Sequence, residues 1–194
     1  MRNLFIIHGS NGYPEENWFP WLKHELENKT DLRVIVPQFP CPPEEGGKHY
    51  YSEWLSKLKE FQKDIHPDTT FVTHSRGGVF IMHALVDLGI AQISNLFMVA
   101  PWIQYRWYDN PQESVDSFHY NPIDWAKLKQ IVQHIEIFQS DNDMIPVEEG
   151  VGISAMLKAH LEMVSKAGHF NTSAGYQKFP LLRDHILLRI QKLS

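Results

Sequence analysis

Short apolar runs rich in β-branched and aromatic residues alternate with amphipathic stretches along the whole chain. That alternation constrains the fold more than any other feature. The runs are Leu4–Ile7, Leu32–Val36, Thr69–Thr73, Leu96–Val99, Ile135–Phe138 and Leu161–Val164. They barely alternate in polarity, as strands buried on both faces do. Between them, Tyr51 to His66 sets Trp54, Leu55, Leu58, Phe61 and Ile65 at helical spacing, with Lys and Glu opposite. Trp18–Glu27, Val79–Leu88, Ile123–Gln130 behind Pro122, Glu148–Lys158 and Gln177–Lys192 read the same way. Strand and helix in turn predict a compact three-layer α/β fold: a mostly parallel sheet of about six strands with helices on both faces. No repeat, low-complexity tract or composition break marks a linker, so 1–194 reads as a single domain.

Composition narrows the function classes. A formal net charge of −5 provides no basic surface for a phosphate backbone, which argues against nucleic acid. The 18 Lys and Arg are scattered, without the polybasic run that favours an anionic membrane. The lone cysteine, Cys41, excludes an intramolecular disulfide and thiolate zinc sites. Among 11 histidines no HExxH or comparable ligand spacing occurs, so neither a metal nor another cofactor is expected. The apolar run after Met1 is too short for a signal-peptide core or a membrane span, and a cytoplasmic setting without membrane insertion is the expectation.

In parallel sheets, function gathers in the loops at the carboxyl ends of the strands. The third run enters Thr73-His74-Ser75-Arg76-Gly77-Gly78 and then a helix. A serine there sits on a sharp turn with its hydroxyl held out of the sheet, the context of a nucleophile elbow. Thr73 stands where such elbows usually carry glycine, and a serine that merely caps the helix is the competing reading. After the first run comes His8-Gly9-Ser10-Asn11-Gly12, whose backbone can approach a substrate. Acyl transfer needs N–H donors aimed at a developing oxyanion, and Ser10 and Arg76 are the candidates.

The fifth run ends in Ser140-Asp141-Asn142-Asp143, and the last short run is followed by Gly168-His169-Phe170. An aspartate can fix a histidine's tautomer and stabilise its imidazolium, while the histidine takes the serine's proton. The order Ser75, Asp143, His169, each after a strand, makes a Ser-His-Asp triad the reading. Asp141 competes with Asp143 for the acid and is also a natural turn-former.

These residues resemble the small serine hydrolase family named for a retinoblastoma-binding protein, which has many bacterial members. The resemblance rests on His8-Gly9, Trp18-Phe19-Pro20-Trp21-Leu22, Trp54-Leu55, His74-Ser75-x-Gly77, Ser140-x-x-Asp143 and Gly168-His169-Phe170. It implies a compact α/β-hydrolase without a large cap domain, the triad Ser75, Asp143 and His169, and hydrolysis of esters or related acyl compounds. The chain departs from the family at Arg76, where relatives carry an apolar residue, and in an acid loop one residue short before Pro146.

The loop Ala100 to Tyr108 brings Trp102, Tyr105 and further rings toward the active edge, with Trp18 and Phe19 opposite. They read equally as an apolar wall for an acyl group or as a cover for the sheet edge. Arg76, disfavoured by the helix dipole, reads either as an anchor for an anionic substrate group or as a side chain turned to solvent or a carboxylate. The expected partner is a small acyl substrate. Rivals are a thioesterase or acyltransferase with the same triad, and a protein-interaction module with little turnover.

Overall fold

The computed structural model describes residues 2–41, 49–103, 117–118 and 121–191. Six strands are β1 (Asn3–Ile7), β2 (Arg33–Ile35), β3 (Thr70–His74), β4 (Ile93–Val99), β5 (Val132–Ser140) and β6 (His160–Val164). They form one sheet in the order β2-β1-β3-β4-β5-β6, and every neighbouring pair is parallel. The chain steps outward once to β2, returns past β1 to β3, and then runs on to β6. That reversal leaves a crevice above the carboxyl ends of β1 and β3.

Among the described residues, helices with defined bounds are α1 (Phe19–Lys29), α2 (Tyr51–Lys59), α3 (Arg76–Asp87), α4 (Trp125–Ile131), α5 (Val147–Leu157) and α6 (Pro180–Gln191). Strand periodicity divides the core between the two faces. Phe5, Ile7, Phe71, Leu96, Met98 and Ile137 pack with residues of α2 to α5, including Trp54, Phe80, Leu128 and Ile153. Leu4, Ile6, Val72, Phe97, Val99 and Phe138 pack with α1 and α6 through Leu22, Leu26, Leu182 and Ile186. Each such burial contributes roughly 1.5–3 kcal/mol, which is why near-continuous apolar runs become central strands. Among the described residues no helix is long and apolar enough to cross a membrane.

The expected helix from Tyr51 to His66 stops at Lys59 and tightens into a 3-10 turn, Gln62–Asp64. Pro67 follows, and the residue before a proline is pushed out of helical geometry. The fourth helix is capped by Asp124, whose carboxylate accepts Lys127 N–H at 2.9 Å, rather than started by Pro122. β5 extends to Val132, beyond the expected Ile135, because pairing with β4 continues through its polar start.

Candidate active site

All strands run the same way, so the segments after β1, β3, β4, β5 and β6 gather at one edge. β3 ends at His74 and α3 begins at Arg76, leaving Ser75 alone to make the turn. Its φ of 52° and ψ of −125° cost of order 1–3 kcal/mol for a residue with a side chain. The turn is held by Ser75 N–H donating to Val99 O and Gly78 N–H donating to Ser75 O, both at 2.9 Å. Two glycines permit the close packing. A Cβ on Gly9 would stand 2.9 Å from Ser75 Cβ, and one on Gly77 would stand 2.7 Å from the carbonyl oxygens of Ile7 and His8. Thr73 is fully buried in the sheet, so the missing glycine of the motif does not obstruct the turn.

The β1 loop is fixed by His8. Its Nδ1–H donates to Gly9 O at 2.8 Å and its Nε2 accepts Phe39 N–H at 3.0 Å, which determines the tautomer. Burial holds the His8 pKa down at about 4, the bond to Gly9 opposing it. Ser10 follows, exposed, and its backbone N–H has no hydrogen-bond partner among the described residues.

The loops after β5 and β6 are tied together by successive hydrogen bonds. Ser140 Oγ accepts Ala167 N–H at 3.0 Å, Asp141 accepts Lys166 N–H at 2.7 Å, and Asn142 Oδ1 accepts Gly168 N–H at 2.8 Å. His169 Nδ1 then meets Asp143 Oδ1 at 2.9 Å and Oδ2 at 3.0 Å. The Asp143 side chain is wholly buried, and Ile145 N–H also donates to it at 3.0 Å. Of the two aspartates, Asp143 meets the imidazole. Asp141 stays exposed, and its carboxyl is held below the ordinary range by hydrogen bonds from Lys166 and Ser165.

His74 carries the pair back to the elbow. Its Nε2–H donates to His169 O at 2.8 Å, and the two rings lie 4.8 Å apart between centroids. Burial, then the charge of His169, pushes His74 down to about 3, so it stays neutral. The bond makes His74 a tie between the turn of Ser75 and the loop of His169. Only its position at the strand end signals this. Among the described residues Ser75 Oγ makes no hydrogen bond, and His169 Nε2 makes none either.

The aromatic candidates separate. Trp18 and Phe19 are fully buried and form no substrate wall. An indole N–H needs a partner when buried, and Trp18 finds Phe170 O at 3.0 Å while its ring packs edge-on against Phe19, His74 and Phe179. Trp102 is partly exposed beside the cleft. Tyr105 lies outside the described residues. Arg76 does not turn to solvent: it is 4% exposed, its guanidinium carbon 5.9 Å from the Trp102 ring and 5.2 Å from the Phe118 ring. Such contacts are worth ~0.5–2 kcal/mol and offset the unfavourable helix terminus.

Comparison with known proteins identifies the family and the fold. The YdeN protein of Bacillus subtilis (strain 168) is 25% identical over 192 residues, covering 94% of this chain and 93% of that protein. The crystal structure of the ydeN gene product from B. subtilis superposes with a TM-score of 0.85 at 22% identity, covering 98% of this chain and 100% of that one. Est1E from Butyrivibrio proteoclasticus, solved with ferulic acid bound, shares the fold at a TM-score of 0.70 and 17% identity, covering 98% and 90% of the two chains. A family model for serine hydrolases matches residues 4–187. The chain therefore belongs to the serine hydrolase family and is an enzyme of that kind, with an α/β-hydrolase fold and no large cap among the described residues.

Proposed function

We propose that the protein hydrolyses an ester or related acyl bond of a small molecule through Ser75, His169 and Asp143. The observation that carries this reading is the Asp143–His169 pair, anchored through His74 to the strained turn of Ser75. His169 Nε2 takes the Ser75 proton as Oγ attacks the carbonyl carbon, and the backbone N–H groups of Ser10 and Arg76 receive the oxyanion. Collapse breaks the bond to the leaving alcohol, which takes the proton from His169 and leaves an acyl-serine. Water, deprotonated by His169, then attacks the acyl carbon. Ser75 recovers its proton and the carboxylic acid departs. Asp143 keeps Nδ1 protonated and stabilises the imidazolium in both steps. Catalytic hydrogen bonds tighten when substrate binds, so an open Ser75–His169 contact in a resting site is consistent with this chemistry. Trp102, lying against the Arg76 guanidinium, supplies an apolar wall for the acyl group.

A fluorophosphonate probe together with a short p-nitrophenyl ester series tests the proposal. Labelling and turnover that both vanish in Ser75→Ala are expected. An unlabelled wild-type protein would point instead to a binding module on a hydrolase scaffold. A panel of acyl thioesters run beside the oxygen esters separates the thioesterase alternative.

A further inference from the structure

The β1 loop closes into a four-residue turn, Gly12 N–H donating to Gly9 O at 3.3 Å, with Asn11 third at φ 54°. A turn with positive φ at that position favours glycine, and asparagine is the side chain that tolerates it best. Gly9 O also accepts His8 Nδ1–H at 2.8 Å. In a trans peptide the carbonyl and the next N–H point opposite ways, so these two bonds turn Ser10 N–H away from them. The loop lies against the nucleophile: a Cβ on Gly9 would stand 3.4 Å from Ser75 Oγ. Beside Asn11 is His49, two residues before α2, 4% exposed and edge-on to Trp54 at 6.0 Å between ring centroids. His49 Nε2 lies 3.3 Å from Asn11 N and 2.8 Å from Asn11 Oδ1. Without a proton that nitrogen accepts Asn11 N–H, and with one it donates to Oδ1, so either tautomer ties the two residues together. The end of the turn is fastened as well, Gly12 O accepting Gln38 Nε2–H at 3.2 Å and Cys41 Sγ–H at 3.4 Å. The acyl-transfer mechanism makes no use of His49.

Resting on that mechanism, we propose that His49 is a positioning residue for the oxyanion: by holding Asn11 left-handed, it keeps the turn closed and the Ser10 N–H directed at the oxygen that becomes charged. Released, Asn11 relaxes toward negative φ, the Gly12–Gly9 bond opens, and the Gly9–Ser10 peptide loses one of its two anchors. His49 touches neither the nucleophile nor the base, and acts only through the backbone of residues 9 to 12. The loss falls on the transition state, because the oxyanion exists only there, and ground-state binding is spared. Burial, then the charge of Arg76, keeps the His49 ring neutral, with a pKa of about 4. The clasp therefore holds across the pH range in which His169 works as a base.

The test measures kcat and KM on a neutral p-nitrophenyl ester for the wild type, His49→Leu, His49→Gln, and His49→Leu combined with Asn11→Gly. Each variant is first shown folded by circular dichroism. His49→Leu keeps the packing on Trp54 and should lower kcat about ten- to a hundredfold at nearly constant KM, since losing an oxyanion donor outright costs about 10²–10³. His49→Gln, whose amide still reaches Asn11, should recover much of the loss. So should the double variant, because glycine adopts a positive φ unaided. A His49→Leu protein with wild-type kcat overturns the proposal, and so does a deficit that Asn11→Gly leaves untouched, which would mean packing alone. A second readout needs no turnover: hydrogen exchange at the Gly12 amide, followed by NMR, should quicken in His49→Leu and slow again in His49→Gln. Unchanged exchange overturns the proposal even in an active enzyme. If the wild type cleaves no ester, the acyl-transfer reading falls, while quickened Gly12 exchange still supports the clasp on the turn.

Discussion

The molecule builds two clusters of carboxylate and imidazole, and only one of them looks like a catalytic site. At the carboxyl edge, buried Asp143 meets His169 beside a serine with φ 52°. Elsewhere in the sheet, Glu136 of β5, 3% exposed, is ringed by His134, His185 and His160. Burial pushes the Glu136 carboxyl up, but hydrogen bonds from His134 and His185 outweigh it, and the net shift is downward. Both clusters have the acid and the base. The Glu136 cluster has no strained nucleophile and no loop N–H groups, and among the described residues no group converges on a metal position. The lesson is that an acid–imidazole contact becomes a catalytic device only where backbone geometry supplies the other parts. Six of the seven positive-φ residues other than glycine among the described residues, Asn11, Asn17, Ser75, Ala100, Lys166 and Phe170, belong to loops at the carboxyl edge; the seventh, Lys158, ends α5 before β6.

The two clusters should therefore fail in opposite ways when their acids are neutralised. Asp143→Asn is expected to cut kcat for an activated ester by roughly 10³- to 10⁴-fold, since the imidazole loses its tautomer and its counter-charge. Its denaturation midpoint should move far less than that loss implies, and a nearly active Asp143→Asn protein would break the comparison. Glu136→Gln should do the reverse, destabilising the fold by about 1.5–3 kcal/mol through lost charge-assisted hydrogen bonds. Urea denaturation measures the cost, and a matching loss of kcat would show that the clusters are not independent.

Acid should sharpen the distinction. His8, His49 and His74 are buried neutral with pKa values of about 4, 4 and 3, below the unfolded imidazole near 6.5. The unfolded chain thus binds protons first, and stability falls as pH drops from about 6.5 toward 4. Glu136, with its pKa lowered, adds stability above the unfolded carboxylate range and loses it only at more acidic pH. Thermal melts across this range should show a steep upper limb that flattens in His8→Asn and a lower limb that flattens in Glu136→Gln. The smallest expected effect belongs to Asp141→Asn. It loosens the exposed anchor of the His169 loop and should lower the urea midpoint less than Glu136→Gln does, with a loss in kcat/KM far smaller than that of Asp143→Asn.

Much of the fold was legible because burial on both faces of a parallel sheet leaves a plain mark: Leu4–Ile7 and Thr69–Thr73 lie within a residue of β1 and β3. Ser75, Asp143 and His169 could be picked as candidates because each follows a strand, and parallel strands deliver their ends to one edge. Local sequence did not reveal that Trp18 would be buried to hold Phe170, or that Arg76 would lie against Trp102 and Phe118. Aromatic and charged side chains are equally at home at a cleft and beneath one, and the choice depends on partners far away in the chain.

What the sequence determined by itself is therefore the periodicity of the layers and the order of the site loops, because both depend on short-range pattern and strand direction. Tertiary structure alone decided which aspartate meets His169 and what His74 holds. Each of those turns on a hydrogen bond between segments distant in sequence, and such contacts leave no local signature.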